Sequence, residues 1–277
     1  MLVSLNIKSY AARRYDRKVS QDVADQHQAD HKVGRYNKCL IDPKAASFLA
    51  LSKARQAAYD WHYEQTLPWA QDGARVLPST NYFEYAEVAQ QHKRRFEQAA
   101  TDFIADFPGL QAAAKLALNG LYREADYPSI ERLKAKFAFE VTFLPVPDAQ
   151  DWRVDLGVEQ EQAIREQITT QVERAANEAM RDIWQRLYDA VQHMVERLSQ
   201  PDAVFRDSLI GNVRELCALL PRLNLTQDPA LNAMIDEVRA KLSGNEPQRL
   251  RDDKDKRSQV AEQARALAAR MASYMGA

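Results

Sequence analysis

The residues of this chain best suited to chemistry are cations interleaved with tyrosines near the N-terminus. Arg13, Arg14, Arg17 and Lys18 surround Tyr15, with Tyr10 just upstream, and Lys32, Arg35 and Lys38 surround Tyr36. That mixture suits a single strand of DNA or RNA, whose phosphates pair with cations and whose unstacked bases lie on aromatic rings. Nucleic-acid binding is therefore one reading, with Arg13, Arg14, Tyr15, Arg17, Lys18, Lys32, Arg35 and Tyr36 as its contact residues. Residues 1–38 carry eight Lys/Arg against four Asp, a surplus of only +4. The ordinary account of such a surplus is a solvated face. A second basic cluster, His92-Lys93-Arg94-Arg95, is local.

Other chemistries have less to stand on. His27 and His31 lie four apart, the spacing that puts two imidazoles on one helix face, with Asp30, Cys39 and Asp42 nearby as further ligands. There is no HExxH, no CxxC and no second histidine pair, so solvated histidines explain the two better than a metal site. Glycine, eight in all, is too sparse for a phosphate-cradling loop. No Gly-x-Ser-x-Gly elbow occurs, and neither Cys39 nor Cys217 belongs to a recognisable protease signature. No pair of carboxylates stands apart as an acid/base dyad. The expectation is a protein that is not an enzyme, with no catalytic residues, metal or cofactor.

The elements that carry these residues are mostly helical. From Gly157 to Ser199 there is no proline and no interior glycine, and apolar residues recur at Ile164, Ile168, Val172, Ala176, Ala179, Ile183, Leu187, Val191, Met194 and Leu198. This is the period of one amphipathic helix, roughly 64 Å long at about 1.5 Å per residue. Its mean step is longer than a heptad zipper needs, so packing inside a bundle is expected. Trp184 and Tyr188 widen the apolar stripe, and the intervening mixed charges read as a solvated face.

Further helices are expected from Asp42-Pro43 to about Gln65, over Asn81–Phe107, from Leu110 to Leu118 after the Pro108-Gly109 break, and over Ser129–Lys136. Others follow over Ala203–Leu219, ended by Pro221, and from Asp228-Pro229 to Leu242. Ser9–Lys38 reads as a helix start followed by a loop. Phe137–Phe143 alternates large apolar residues and is the one clear strand, with Val3–Ile7 and Arg75–Leu77 as its only local partners. The fold class is thus mainly α: an elongated helical bundle with one long helix and a small minor β-sheet. The expected parts are an α+β part over 1–148, a helical part over 149–246 and a charged, alanine-rich tail over 247–277. That tail has few large apolar residues, so it reads as weakly docked or free until it meets a partner.

Composition agrees with a globular chain: 28% charged, 45% hydrophobic, with net charge −1, so no global field recruits nucleic acid or an anionic membrane. Two cysteines far apart fit a reducing compartment. No apolar run spans a bilayer, and MLVSLNIKSY lacks the core of a signal peptide. A cytoplasmic protein without a membrane partner is expected.

Three short motifs together carry a family resemblance. They are the opening LNI with its Arg-rich aromatic sequel, the string CLIDPKA at Cys39–Ala45, and the strand FAFEV. The chain resembles a family of uncharacterised proteins from phages and integrative mobile elements, often encoded beside a MoxR/CobS-type AAA+ ATPase and a von Willebrand A-domain protein. The likeness covers residues 1–242, and the tail after Pro247 does not contribute. It implies a non-enzymatic accessory protein in the host cytoplasm, an adaptor or partner of a MoxR-type AAA+ ATPase, and carries over no catalytic residues. Self-association would add to this through the long apolar ladder and the tail. Two expectations stand side by side: an interaction module, and a nucleic-acid-binding protein of phage or element DNA metabolism.

Overall fold

The computed structural model describes residues 1–69, 73–149, 158–200 and 204–275. The chain is mainly α, 69% helical, with a small β component. It opens with strand β1 (Leu2–Lys8), strand β2 (Arg13–Tyr15), helix α1 (Arg17–Gln26) and strand β3 (Asn37–Cys39). Helix α2 (Ala46–Glu64) leads to the two-residue strands β4 (Leu67–Pro68) and β5 (Arg75–Val76). Then come α3 (Tyr82–Leu118), the short α4 (Ile130–Lys134) and β6 (Ala138–Leu144). The remainder is helical: α5 (Val158–Leu198), α6 (Ser208–Leu223), α7 (Pro229–Val238), α8 (Pro247–Asp252) and α9 (Lys254–Met275). No helix among the described residues is long and apolar enough to cross a membrane.

The strand expected at Val3–Ile7 is β1, and FAFEVTF forms β6 shifted by one residue. One sheet has the order β4-β5-β1-β6, with Leu2 opposite Val76 and Leu67 opposite Val76 on the other side. A separate antiparallel pair joins β2 to β3. The helix and loop expected over Ser9–Lys38 are α1 and residues 27–36, and the strand pair flanking them was not expected. Strands of two or three residues are too short to display an alternation in sequence.

Two compact units make up the chain, neither of them a continuous segment. One holds Met1–Ser4, Tyr63–Tyr85 and Thr142–Ala277; the other holds Leu5–His62 and Ala86–Val141. In the first unit, Ala179, Ile183, Leu187, Val191, Met194 and Leu198 of α5 share a core with α6, α7 and α9. The ladder's earlier members, Ile164, Ile168, Val172 and Ala176, are only half-buried. The expected start of this helix at Gly157, and most of the join expected at 149–157, lie outside the described residues.

The tail departs from expectation. α9 packs along α5, with Val260, Ala264, Leu267 and Met271 buried in the same core. Alanines let the two helix axes approach, so four large or small apolar positions suffice where a wider helix pair would need more. The buried Arg257 guanidinium donates to the carbonyls of Leu198 (3.1 Å), Arg197 (2.9 Å) and Gln200 (2.5 Å). It thereby satisfies carbonyls that the end of α5 leaves without helical partners. Trp184 stacks on Tyr274 with centroids 4.8 Å apart.

The second unit is aromatic at heart. Phe96, Phe103 and Phe107 of α3 pack with Leu51, Ala58, Leu133, Tyr127 and Phe139. Pro108 lies inside α3, where a break was expected. Proline removes the bond to the Ile104 carbonyl, at about 3 kcal/mol in a helix interior. Pro108 is solvent-exposed, while Phe103, Phe107 and Ala114 of the same helix keep it pressed on its core. Pro221 likewise does not end α6; the carbonyl it frees, that of buried Cys217, accepts from the Arg239 guanidinium at 2.7 Å. Asp42 corrects a third expectation. Its carboxylate and carbonyl accept from the amides of Lys44 and Ala45 (2.8 and 3.0 Å), forming a turn, and α2 begins only at Ala46. At α7 the same Asp-Pro device does cap, the Asp228 carboxylate accepting from Ala230 N–H at 2.8 Å.

Candidate nucleic-acid interface

All the residues singled out for nucleic-acid contact lie in the second unit, on β2, α1 and the segment leading into β3, and all are exposed. The antiparallel register sets Arg13 opposite Cys39, Arg14 opposite Lys38 and Tyr15 opposite Asn37. Alternation along a strand sends Arg14 and Lys38 to one face, Arg13 and Tyr15 to the other.

Lys38, grouped by sequence with the basic surface, is a structural residue instead. Its side chain is 1% exposed. The ammonium donates to Asp16 (3.2 Å) and the Leu121 carbonyl (2.8 Å) and forms an ion pair with Asp126 (2.7 Å). Arg14 approaches the other oxygen of Asp126 at 3.7 Å from the surface. Asp16 also caps α1, accepting from Val19 N–H at 3.3 Å. That backbone bond, then Lys38, holds its carboxyl below the usual carboxylate range.

On the outer side, the Arg35 guanidinium lies 6.0 Å from the centre of the Tyr15 ring, a cation–π contact. Tyr36 is pinned by its backbone: its amide donates to Ser20 Oγ (2.9 Å), and its carbonyl accepts from Asp16 N–H (3.0 Å). Tyr36 and Arg35 border an apolar cavity of about 300 Å³ with Val23, Ala24 and Val33. Arg17 and Lys18 occupy the first turn of α1, which carries no acidic residue. Cations are disfavoured at this positive end of a helix dipole, so helix stability does not explain them. Lys32 sits in the loop, where its amide donates to Asp30 Oδ1 (2.9 Å).

Arg13 and Arg14 also line a second cavity of about 740 Å³, bordered by Tyr10, Asp126, Arg132 and Lys136. Arg132 and Lys136 were missed by sequence reasoning. They lie on and just after α4, and nothing in the sequence connects them to residues 9–14. Ala12 at the cavity wall is buried and holds a left-handed backbone, φ 51°. For an L residue this conformation costs about 1–2 kcal/mol. Leu40 N–H donates to the Ala12 carbonyl at 2.8 Å and holds it in place.

His27 ends α1, and His31 pairs with Asp25 (2.7 Å), so the two imidazoles do not share a helix face. Among the described residues no group of histidine, cysteine or carboxylate side chains is arranged to hold a metal. Cys217 is buried, which pushes its thiol up to about 11. In the His92–Arg95 cluster, His92 turns inward and stacks on Trp61 at 4.9 Å, and burial lowers its pKa. Lys93 faces Glu97 at 3.9 Å. No family model, curated protein or solved structure matches this chain.

Proposed function

We propose that the chain is a non-catalytic binding protein whose second unit holds single-stranded nucleic acid along β2, the first turn of α1 and the approach to β3. The observation that carries this reading is the Tyr15–Arg35 contact beside Tyr36. Residues far apart in sequence meet there as exposed aromatic and cationic groups on one surface. A base laid on either ring gains stacking, and the neighbouring arginines meet its phosphate. Support also comes from Arg17 and Lys18, which sit where the helix itself gains nothing from them. Titration of a labelled oligothymidylate into Tyr15→Ala and Tyr36→Ala should show weaker binding by about 1–3 kcal/mol for each ring that carries a base. Unchanged affinity in both variants would remove the stacking surface from the account.

A protein partner is a second reading, favoured by one observation in the first unit. Phe83 is 84% exposed, Tyr82 packs edge-on to both Phe83 and Phe143 (5.4 Å each), and Leu144 is exposed beside them in sequence. The resemblance names a MoxR-type AAA+ ATPase as that partner, in a phage or mobile element. The long ladder and the alanine-rich tail no longer argue for it, because much of the apolar surface of each is spent on the other. Co-purification with the ATPase, lost in Phe83→Asp, tests this reading.

A further inference from the structure

We infer that the cavity between residues 9–14 and the α4 region binds a terminal phosphate, the phosphomonoester dianion, of the strand held on the neighbouring surface. The inference rests on the nucleic-acid reading for the source of that phosphate. The cavity's cations come from two separate segments: Arg13 and Arg14 from β2, Arg132 and Lys136 from α4 and the turn after it. Among the described residues the side chains of Arg13, Arg132 and Lys136 enter no ion pair. The single acidic neighbour, Asp126, shares Lys38 with Asp16 and is also paired with Arg14 at 3.7 Å, so Arg13, Arg132 and Lys136 are the surplus.

The lining therefore presents uncompensated positive charge from two sides. A monoester answers it with nearly two negative charges and three terminal oxygens, where a bridging phosphate offers one charge and two free oxygens. Tyr10 adds a neutral donor. It lines the cavity, and its hydroxyl is shielded from solvent with no hydrogen-bond partner among the described residues. Burial pushes that hydroxyl up to about 12, so it keeps its proton at any ordinary pH. About 740 Å³ also leaves room for the sugar that carries the phosphate.

Matched oligothymidylates labelled at the 3′ end, one with a 5′-phosphate and one with a 5′-hydroxyl, test the inference on the full chain. At about 50 mM salt the phosphorylated strand should bind at least about tenfold more tightly, the worth of one charge-assisted hydrogen bond. The double variant Arg132→Ala/Lys136→Ala should bind both strands alike, with the helical circular dichroism unchanged because both side chains are exposed. Tyr10→Phe should reduce the preference by about threefold or more, since the hydrogen bond lost is one to a charged acceptor. Equal affinity for the two strands in the unaltered chain overturns the inference and leaves the nucleic-acid reading intact. If neither strand binds, that reading falls, and thymidine 5′-monophosphate against thymidine decides the cavity alone. Binding of the monophosphate only, weakened by the double variant, supports a phosphate site; no difference between the two ligands overturns it.

Discussion

Lys38 separates what a residue type says from what its surroundings make of it. In sequence it is one more cation near Tyr36; in the structure it is a buried ammonium between Asp16 and Asp126. Removing one partner from such a cluster strands the other charges away from water, at about 3–5 kcal/mol. Lys38→Met should therefore lose stability on that scale in urea unfolding, whereas Lys32→Met, on an exposed loop residue, should change it by less than about 0.5 kcal/mol. Equal effects would mean that the cluster is not buried in solution. Asp16 adds a pH dependence with a definite sign. Its folded carboxyl titrates below the unfolded one, so its contribution is fully present above the ordinary carboxylate pKa and is lost as pH falls through the lower, folded value. Stability of the unaltered chain should fall below about pH 4, and Asp16→Asn should flatten that fall. The exposure of the proposed contact residues was legible in sequence because interleaved Arg and Tyr are rare as core material. Lys38 was not, since only the β2–β3 register and Asp126, far along the chain, decide its fate. Arg132 and Lys136 were invisible for the same reason.

Elements were legible where a long period could accumulate and illegible where tertiary burial overrode a local signal. The ladder of α5 is long enough to declare itself, and its buried half is the half that α9 covers. Pro108 and Pro221 read as stops because local rules weigh the lost hydrogen bond and cannot weigh the packed face beyond it. In α3 this gives a test. Pro108→Ala restores an N–H to the Ile104 carbonyl, worth about 3 kcal/mol in an unadapted helix, against up to about 1 kcal/mol of lost proline rigidity in the unfolded chain. The variant should be more stable, by about 1–2 kcal/mol after relaxation of the adapted helix. A loss of stability would show that the helix ends there. The docking of the tail is not legible in sequence because alanine adds little hydrophobic area by itself, yet it permits the close approach that buries Leu267 and Met271. Leu267→Ala should cost about 2–5 kcal/mol, a core value that a weakly docked tail would not give.

At the scale of the whole molecule, fold class was the most legible property: scarce glycine, long apolar periods and a single clear strand lead to a mainly helical chain with a minor sheet. The division into units was harder to see. Each unit gathers segments separated by the other, and sequence periodicity carries no information about which helix meets which. Function is the least legible, because the sequence carries no recognisable catalytic motif and the proposed contact surface is assembled from short, weakly patterned segments. The central claim is that this surface neutralises strand phosphates. Its most direct test is the salt dependence of single-stranded oligonucleotide affinity in the unaltered chain and in Arg13→Ala/Arg14→Ala/Arg17→Ala/Lys18→Ala. Affinity should fall linearly with salt on logarithmic axes, and the slope should be smaller by about 3 in the fourfold variant, at about 0.7 for each phosphate no longer neutralised. No binding at about 50 mM salt, or an unchanged slope after the four cations are removed, would contradict the claim.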